Sequence, residues 1–442
     1  MNEAPTTVPG GTHCRFCAEP LDLSVVDLGM SPPCQNVVRP AELELVERFY
    51  PLHVRACRNC WLLQIPELVA PEELFVEYAY FSSYSTTWVE HARRYAEAMI
   101  AREHLGEDSF VVEIASNDGY LLQHFVTRGI PVLGIEPAVN VAKAAIERGV
   151  PTLTEFFGVE VARRLASEGR QADLIIGNNV LAQVPVINDF VAGIKALLAP
   201  DGLATFEVPH VARMLERTEY DTIYHEHFSY FSLGTLRKIF AAAGLELVDV
   251  EELPTHGGSI RAFFRHARSE AALSPAAEKL LAEEVASGLF SPEAHIRFAE
   301  SVQESKRALL EFLIGERNQR RHVIGYGAPG KGNTLLNYCG IRSDFLDYTV
   351  DRNPYKQGCF TPGTRIPIYA PEKIVETRPD VIVILPWNLA NEISQQLEYT
   401  AEWGARLVTP IPRPLVFAPG DVPESHVSSP MAEVDLVDGS SS

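Results

Sequence analysis

The chain has 442 residues, 46% of them hydrophobic and 22% charged, and a formal net charge of −20. That length exceeds what one core serves and implies two or three domains, while the acidity repels a phosphate backbone and argues against nucleic acid as the main partner, without excluding a local basic pocket for one diphosphate. No apolar run reaches the roughly 18 to 20 residues that cross a bilayer, the polar N-terminus has no apolar signal core, and seven cysteines, an odd number, argue against a disulfide framework; a soluble, cytoplasmic protein with no membrane partner is expected.

In chain order, residues 1–13 read as a loose tail. Residues 14–70 hold five of the seven cysteines and several prolines and read as a small cysteine-clipped module. From 71 to about 105 the pattern turns helical, with Trp88, Tyr95 and Met99 at helix-like intervals. An α/β pattern then begins. Phe110–Ile114, Val132–Glu136, Ala172–Gly177 and Gly202–Val208 are short apolar strand runs, with helices expected from Tyr120 and over Val141–Arg148. Apolar strands alternating with helices imply a parallel sheet covered on both faces. This unit is taken to run over 71–270. Residues 270–320 are largely helical, and a second α/β block follows at His322–Tyr326, Tyr348–Asp351 and Val381–Leu385, within a unit spanning 271–418. From 419 to 442 the composition is Pro, Ser, Asp and Gly, as in a disordered tail.

Cys14-x-x-Cys17 and Cys57-x-x-Cys60 are two knuckles about 40 residues apart. Each turn aims two thiolates at one point, and two turns complete a tetrahedral four-sulfur site that suits Zn²⁺. A closed site has no open position for substrate, so its role is expected to be structural. The competing readings are ordinary buried cysteines and a thioredoxin-like redox pair, which lacks its βαβ context here. Cys34, Cys339 and Cys359 have no paired spacing and are expected to be core or surface thiols.

The run Glu113-Ile114-Ala115-Ser116-Asn117-Asp118-Gly119 ends the first strand of the α/β unit, where ligands bind in open sheets. It looks like the cofactor loop of an S-adenosylmethionine methyltransferase. Small residues at Ala115, Ser116 and Gly119 let the backbone approach a ligand. Glu136 ends the second strand, where a carboxylate can accept from two ribose hydroxyls. Asn178 and Asn179 close a later strand, placed for the adenine or methionine end. The plain alternative is a nucleotide-free α/β domain in which Glu113 and Glu136 are solvated strand ends. Downstream, Tyr224-His225-Glu226-His227 packs two imidazoles and a carboxylate beside a phenol. A methyl donor next to a general base fits methylation at carbon, where a proton leaves as the methyl arrives.

With both sites in hand the chain resembles the sugar C-methyltransferases that act on nucleotide-linked ketosugars in deoxysugar and antibiotic pathways. The resemblance runs from Cys14 to about residue 415. It rests on Tyr80-Phe81-Ser82-Ser83-Tyr84-Ser85, Glu113–Tyr120, Tyr224–His227, His256-Gly257-Gly258-Ser259 and Gly325-Tyr326-Gly327-Ala328-Pro329, in one order. It implies a zinc-binding N-terminal module, a class I S-adenosylmethionine domain and a Rossmann-like C-terminal domain, the cofactors S-adenosylmethionine and Zn²⁺, and a 4-keto-6-deoxysugar methylated at its 3-position. It also implies His227 as base, with Tyr224 and Glu226 beside it. The chain departs from the family at Gln183, where many members carry a histidine; an amide cannot take a proton at neutral pH. A monomer or a homodimer is expected.

Chemistry adds to this. An unperturbed histidine titrates near pKa ~6.5 and suits removal of a proton beside a ketone. His227 is the expected base, Glu226 or Tyr224 its orienting partner, and Tyr80 or Tyr224 the donor to the enolate oxygen. On a strand, Tyr224 and Glu226 would share one face and His225 and His227 the other, so an irregular loop is expected. His256 either lines the cleft or is a plain turn residue. Gly325-x-Gly327-x-x-Gly330 with Asp351 about 20 residues on matches the dinucleotide fingerprint and supports a rival, an NAD-dependent oxidoreductase. Pro329 stiffens that turn, and Lys331 at a helix start is better placed for a phosphate; Lys331 and Arg352 are the candidate phosphate contacts. The glycines otherwise only pack helix on strand. Two further alternatives are an O- or N-methyltransferase on the same scaffold and a zinc-ribbon interaction protein.

Overall fold

The computed structural model describes residues 11–70, 81–267 and 272–421. Most of the two expected tails, 1–10 and 422–442, and the candidate Tyr80 lie outside the described residues. Among the described residues no helix is long and apolar enough to cross a membrane.

The N-terminal part folds as strands β1 (Leu23–Ser31), β2 (Tyr50–Ala56) and β3 (Leu63–Gln64). Along β2 the residues Leu52, Val54 and Ala56 face inward at period two. A helix over Thr86–Glu103 follows; Ser85 begins it by accepting from the amide of Trp88 at 3.3 Å.

The central sheet is built from β4 (Val111–Ile114), β5 (Val132–Ile135), β6 (Thr152–Leu153), β7 (Ala172–Asn178) and β8 (Leu198–Pro209). Every residue of β4 and β5 is buried, as covered parallel strands require. After a two-residue strand β9 (Ser229–Tyr230), the sheet is completed by β10 (Leu245–Leu253) and β11 (Ser259–His266). The order is β10-β11-β8-β7-β4-β5-β6. The pairs from β8 through β7, β4 and β5 to β6 are parallel, and β11 is antiparallel to both its neighbours. The chain winds outward both ways from β4, so a crevice opens where β4 meets β7. The helix expected from Tyr120 is one turn, Gln123–Val126, because Tyr120, Leu121 and Leu122 turn into the core instead.

Two helices, Pro275–Ala286 and Pro292–Asn318, lead to a second sheet. Its strands are β12 (Val323–Tyr326), β13 (Thr349–Val350), β14 (Ile368–Tyr369), β15 (Val381–Ile384), β16 (Arg406–Thr409) and β17 (Leu415–Phe417), in the order β14-β13-β12-β15-β16-β17. Only β17 runs antiparallel. The helix Gly330–Cys339 leaves β12. Its first residues, with Pro329, face the crevice of the central sheet across a shared cleft.

The antiparallel strands β11 and β17 and the N-terminal sheet have no counterpart in the periodicity reading. The N-terminal sheet also takes its fourth strand, β9, from immediately after the Tyr224–His227 run. The cysteine module and the proposed catalytic segment therefore share one sheet.

Candidate functional site

The thiol sulfurs of Cys14, Cys17, Cys57 and Cys60 lie within 4.8 Å of one another. Cys14 to Cys60 and Cys17 to Cys57 are each 3.5 Å. Four sulfurs each about 2.3 Å from a common centre would be separated by such distances, so the set fits tetrahedral zinc. Cys34 and Cys339 are buried and Cys359 half-buried, and all seven cysteines are free of disulfides.

The crevice above β4 and β7 opens into a cleft of about 540 Å³. Ala115, Asn117, Glu136, Asn178, Asn179 and Gln183 all line it. Ala115, Asn117 and Asn179 have φ of +57°, +50° and +57°. Side chains other than glycine seldom adopt that conformation, and such residues gather where a site is shaped. Glu136 accepts from the amides of Asn117 and Ala138 at 3.0 and 2.9 Å, which aims the carboxylate; burial raises its pKa. The amide oxygens of Asn178 and Asn179 are buried without a hydrogen-bond partner, as expected of groups awaiting a polar ligand. The residues present therefore fit S-adenosylmethionine. Two members of the loop sit elsewhere. Glu113 is buried beneath the loop, its pKa raised well above the usual range by burial and then by Glu136 and Asp118, so it is no solvated strand end. Gly119 has φ +76°, and a β-carbon there would meet Val150 at 2.9 Å: it permits packing, not ligand approach.

The turn at Tyr224 resolves the facing problem that a strand would pose. The amide of His227 donates to the carbonyl of Tyr224 at 2.9 Å, folding the four residues back on themselves. The rings of Tyr224 and His227 come together, centroids 4.1 Å apart. His227 Nδ1 is 3.2 Å from the Thr222 carbonyl. A carbonyl only accepts, so Nδ1 carries the proton and Nε2 the free lone pair. The Tyr224 hydroxyl lies 3.0 Å from that Nε2. Burial lowers His227 to about 3, helped by His256 and Lys331 and opposed by the Thr222 carbonyl.

The other two residues of the motif point away. His225 is buried against Tyr50, with Nε2 3.3 Å from the Pro51 carbonyl. Glu226 is buried toward Cys34, whose thiol donates to it at 3.8 Å, and burial pushes its carboxyl up to about 7. The orienting contacts on His227 come from Thr222 and Tyr224; Glu226 braces the junction with the N-terminal module. The sequence shows no reason to choose between the two neighbours, because their directions depend on the turn.

His256 and Lys331 also line the cleft. Lys331 Nζ sits 4.7 Å over the ring of Trp387 and donates to Asn388 at 3.1 Å. Arg352 is separated from it and lines a second cavity of about 420 Å³ with Tyr326, Gln357 and Tyr399. The two candidate phosphate contacts do not share a site, because Lys331 opens the helix after β12 whereas Arg352 follows β13.

The dinucleotide fingerprint does not form its site. Asp351 accepts from the amides of Ala328 and Asn353, each at 2.8 Å, just as Glu136 accepts from two amides, so packing over the glycines and not the carboxylate decides. A β-carbon on Gly330 would meet the Cys34 thiol at 2.8 Å, so the segment Cys34–Gln35 fills the space over the glycine loop. Asn333 fixes it there by donating to the Cys34 carbonyl at 2.7 Å. The glycines serve close packing.

Several cleft residues carry no sequence signal: Gln35 from the cysteine module, Trp88, Phe156, Phe157, Asp189 and Thr222. Asp118 is another. It pairs with Arg148 at 2.8 Å and accepts from the Ser83 hydroxyl, while Asn117 accepts from the Ser82 amide at 2.9 Å. Together they fasten the Phe81–Tyr84 segment over the loop.

Family models match the chain in three successive pieces: a zinc binding domain over 14–75, a methyltransferase domain over 88–250 and a C-methyltransferase C-terminal domain over 254–412. The C-methyltransferase NovU of Streptomyces niveus is 37% identical over 406 residues, which is 92% of this chain and 97% of that protein. Among solved structures, the magnesium protoporphyrin IX methyltransferase ChlM of Synechocystis is similar over 40% of this chain and 83% of its own, at 14% identity and a TM-score of 0.32. The CcbJ methyltransferase of Streptomyces caelestis is similar over 40% and 90%, at 16% identity and a TM-score of 0.30. The cofactors are S-adenosylmethionine in the central domain and Zn²⁺ at the cysteine cluster.

Proposed function

The chain belongs to the C-methyltransferase family, and we propose that it methylates the carbon beside the ketone of a nucleotide-linked 4-keto-6-deoxysugar, at C3, after removing that carbon's proton. The observation that carries this reading is the Tyr224–His227 pair in the cleft that holds the cofactor loop: a half-buried imidazole protonated on Nδ1, whose Nε2 lone pair meets the hydroxyl of the adjoining phenol. Bound S-adenosylmethionine supplies a methyl group on a positively charged sulfur, ready for a carbon nucleophile. Glu136 would hold its ribose hydroxyls, with Ala115, Asn117, Asn178 and Asn179 along its length. His227 takes the C3 proton on Nε2, and Thr222 keeps the ring oriented through Nδ1. The Tyr224 hydroxyl, which donates to Nε2 at rest, turns off that lone pair as substrate enters, and accepts from the new Nε2–H once the proton has moved. Lys331 and the helix start at Gly330 line the same cleft as the cofactor loop and suit the diphosphate; Gln183 and His256, also in the lining, would meet the sugar. The test is mass spectrometry of products from S-adenosylmethionine and a panel of nucleotide 4-ketosugars in H₂O and D₂O. A gain of one methylene with solvent deuterium entering C3 supports the reading; methylation on oxygen or nitrogen without exchange refutes it.

Two predictions arise here. Glu136→Gln keeps the shape but loses the charge that strengthens hydrogen bonds to hydroxyls, so the cofactor's Kd should rise roughly tenfold by calorimetry. An unchanged Kd removes Glu136 from the ribose site. The second concerns pH. Burial depresses His227 to about 3, so its neutral, basic form is favoured in the fold and is lost only as pH falls toward that value. The rate of deuterium exchange at C3 should therefore stay level from pH 8 to below 6, where an ordinary histidine (pKa ~6.5) would already be mostly protonated. A half-loss near pH 6.5 would show a solvated imidazole instead.

A further inference from the structure

We propose that His256 is a second catalytic residue, donating a ring N–H to the substrate's ketone oxygen while His227 takes the adjacent proton; this rests on the ketosugar reading above. Gln183 and His256 both line the cleft; the Gln183 amide can donate a hydrogen bond but cannot take up a proton, and His256 brings a second imidazole into the same space. His227 lines that same cleft.

The backbone is shaped to hold this ring. His256 has φ +56° inside the turn Thr255–Gly257. Few residues other than glycine adopt that conformation, and the surroundings hold this one there. Before it, the Thr255 hydroxyl donates to Glu207 at 2.9 Å. Glu207 is fully buried and also accepts from His91 at 3.0 Å and Arg261 at 2.8 Å. After it, the Gly258 amide and the Ser259 hydroxyl both return to the Thr255 carbonyl, at 2.9 and 3.0 Å. Gly257 packs against the Glu219 carboxylate, leaving no room for a β-carbon. On the ring itself, Trp88 lies edge-on at 5.4 Å and is stacked in turn on His91 at 4.9 Å. One buried carboxylate thus fixes both the turn that carries His256 and, through His91, the indole that braces it. These contacts fix the turn while the His256 ring itself stays exposed at the cleft.

The step balances without another reagent. The C3–H electron pair becomes the C3–C4 π bond, the C4=O π pair moves to oxygen, the proton goes to His227 Nε2, and the His256 N–H is shared with the new oxyanion.

The experiment is deuterium wash-in at C3 of a nucleotide 4-ketosugar, without S-adenosylmethionine, comparing wild type with His256→Asn. Asparagine tolerates the left-handed backbone but not the donor's reach. Exchange should slow by about 10²-fold, the value of an oxyanion donor, with cofactor Kd unchanged. Adding Gln183→His should recover at least part of the loss. Exchange within threefold of wild type would overturn the inference while leaving the ketosugar reading intact; no exchange by wild type with any substrate of the panel would sink both. If His256→Asn melts early, Thr255→Val decides. Releasing that anchor should slow exchange about tenfold at unchanged KM, and an unchanged rate counts against the proposal.

Discussion

His227→Asn should abolish carbon methylation and slow deuterium exchange at the substrate carbon by about 10²- to 10⁴-fold, the range for losing a general base. The substitution isolates chemistry from shape. An asparagine amide can still donate toward the Thr222 carbonyl that now receives Nδ1 at 3.2 Å, but it offers no basic nitrogen where Nε2 meets the Tyr224 hydroxyl. The turn should survive, because the 2.9 Å hydrogen bond closing it comes from the backbone amide of residue 227. The cofactor's Kd should therefore stay within about twofold, since its loop is carried by β4 and β5. Retention of more than a tenth of the exchange rate would falsify the assignment of the base and turn attention to Tyr224. Glu226→Gln gives the contrast: Glu226 faces Cys34 outside the cleft, so exchange should fall far less than in His227→Asn.

Cys60→Ser should yield a protein without stoichiometric zinc and with a thermal midpoint lower by roughly 10 °C. Binding energy at a four-thiolate site is folding energy, on the order of 10 kcal/mol in isolated zinc peptides. Here part of it is replaced by packing, because Cys14, Cys57, Cys60 and Leu62 lie in one core with Phe231, Leu233 and Leu236 of the central domain. A residual loss of about 4 kcal/mol shifts the midpoint of a unit of 150–250 residues by roughly 8–16 °C. Activity should fall as well, although no metal ligand touches the cleft. The same module carries Gln35 into it, and the Tyr224–His227 turn leads directly into the strand that completes its sheet. Metal analysis and calorimetry on the full chain check this. Unaltered zinc content and melting would mean that three sulfurs suffice and that Cys60 is packing only.

The C-terminal block shows why a motif can be present and its site absent. Gly325, Gly327, Gly330 and Asp351 satisfy the dinucleotide spacing, yet Gly327 packs against Pro386 and Gly330 lies under the Cys34 thiol. Spacing records which backbone shapes are possible. It does not record what another part of the chain places on top of them.

Local order determines local structure, and that much the sequence decided. The buried apolar runs at Val111, Val132, Ala172 and Val381 read as covered strands, two CxxC turns pointed to one tetrahedral site, and Glu113–Gly119 followed by Glu136 marked the crevice at the strand ends, because strand ends and their loops are adjacent in sequence. Tertiary structure decided everything that depends on direction across distant segments. Whether Glu226 or Tyr224 turns toward His227 follows from a four-residue turn, and where Glu226 then points follows from Cys34, 192 residues away. That His256 belongs to the cleft follows from Glu207 and Trp88, and that Lys331 and Arg352 part company follows from which strand each one leaves. Side-chain direction in irregular backbone is set by long-range packing and by the requirement that buried polar groups find partners, and neither is written in the order of neighbouring residues.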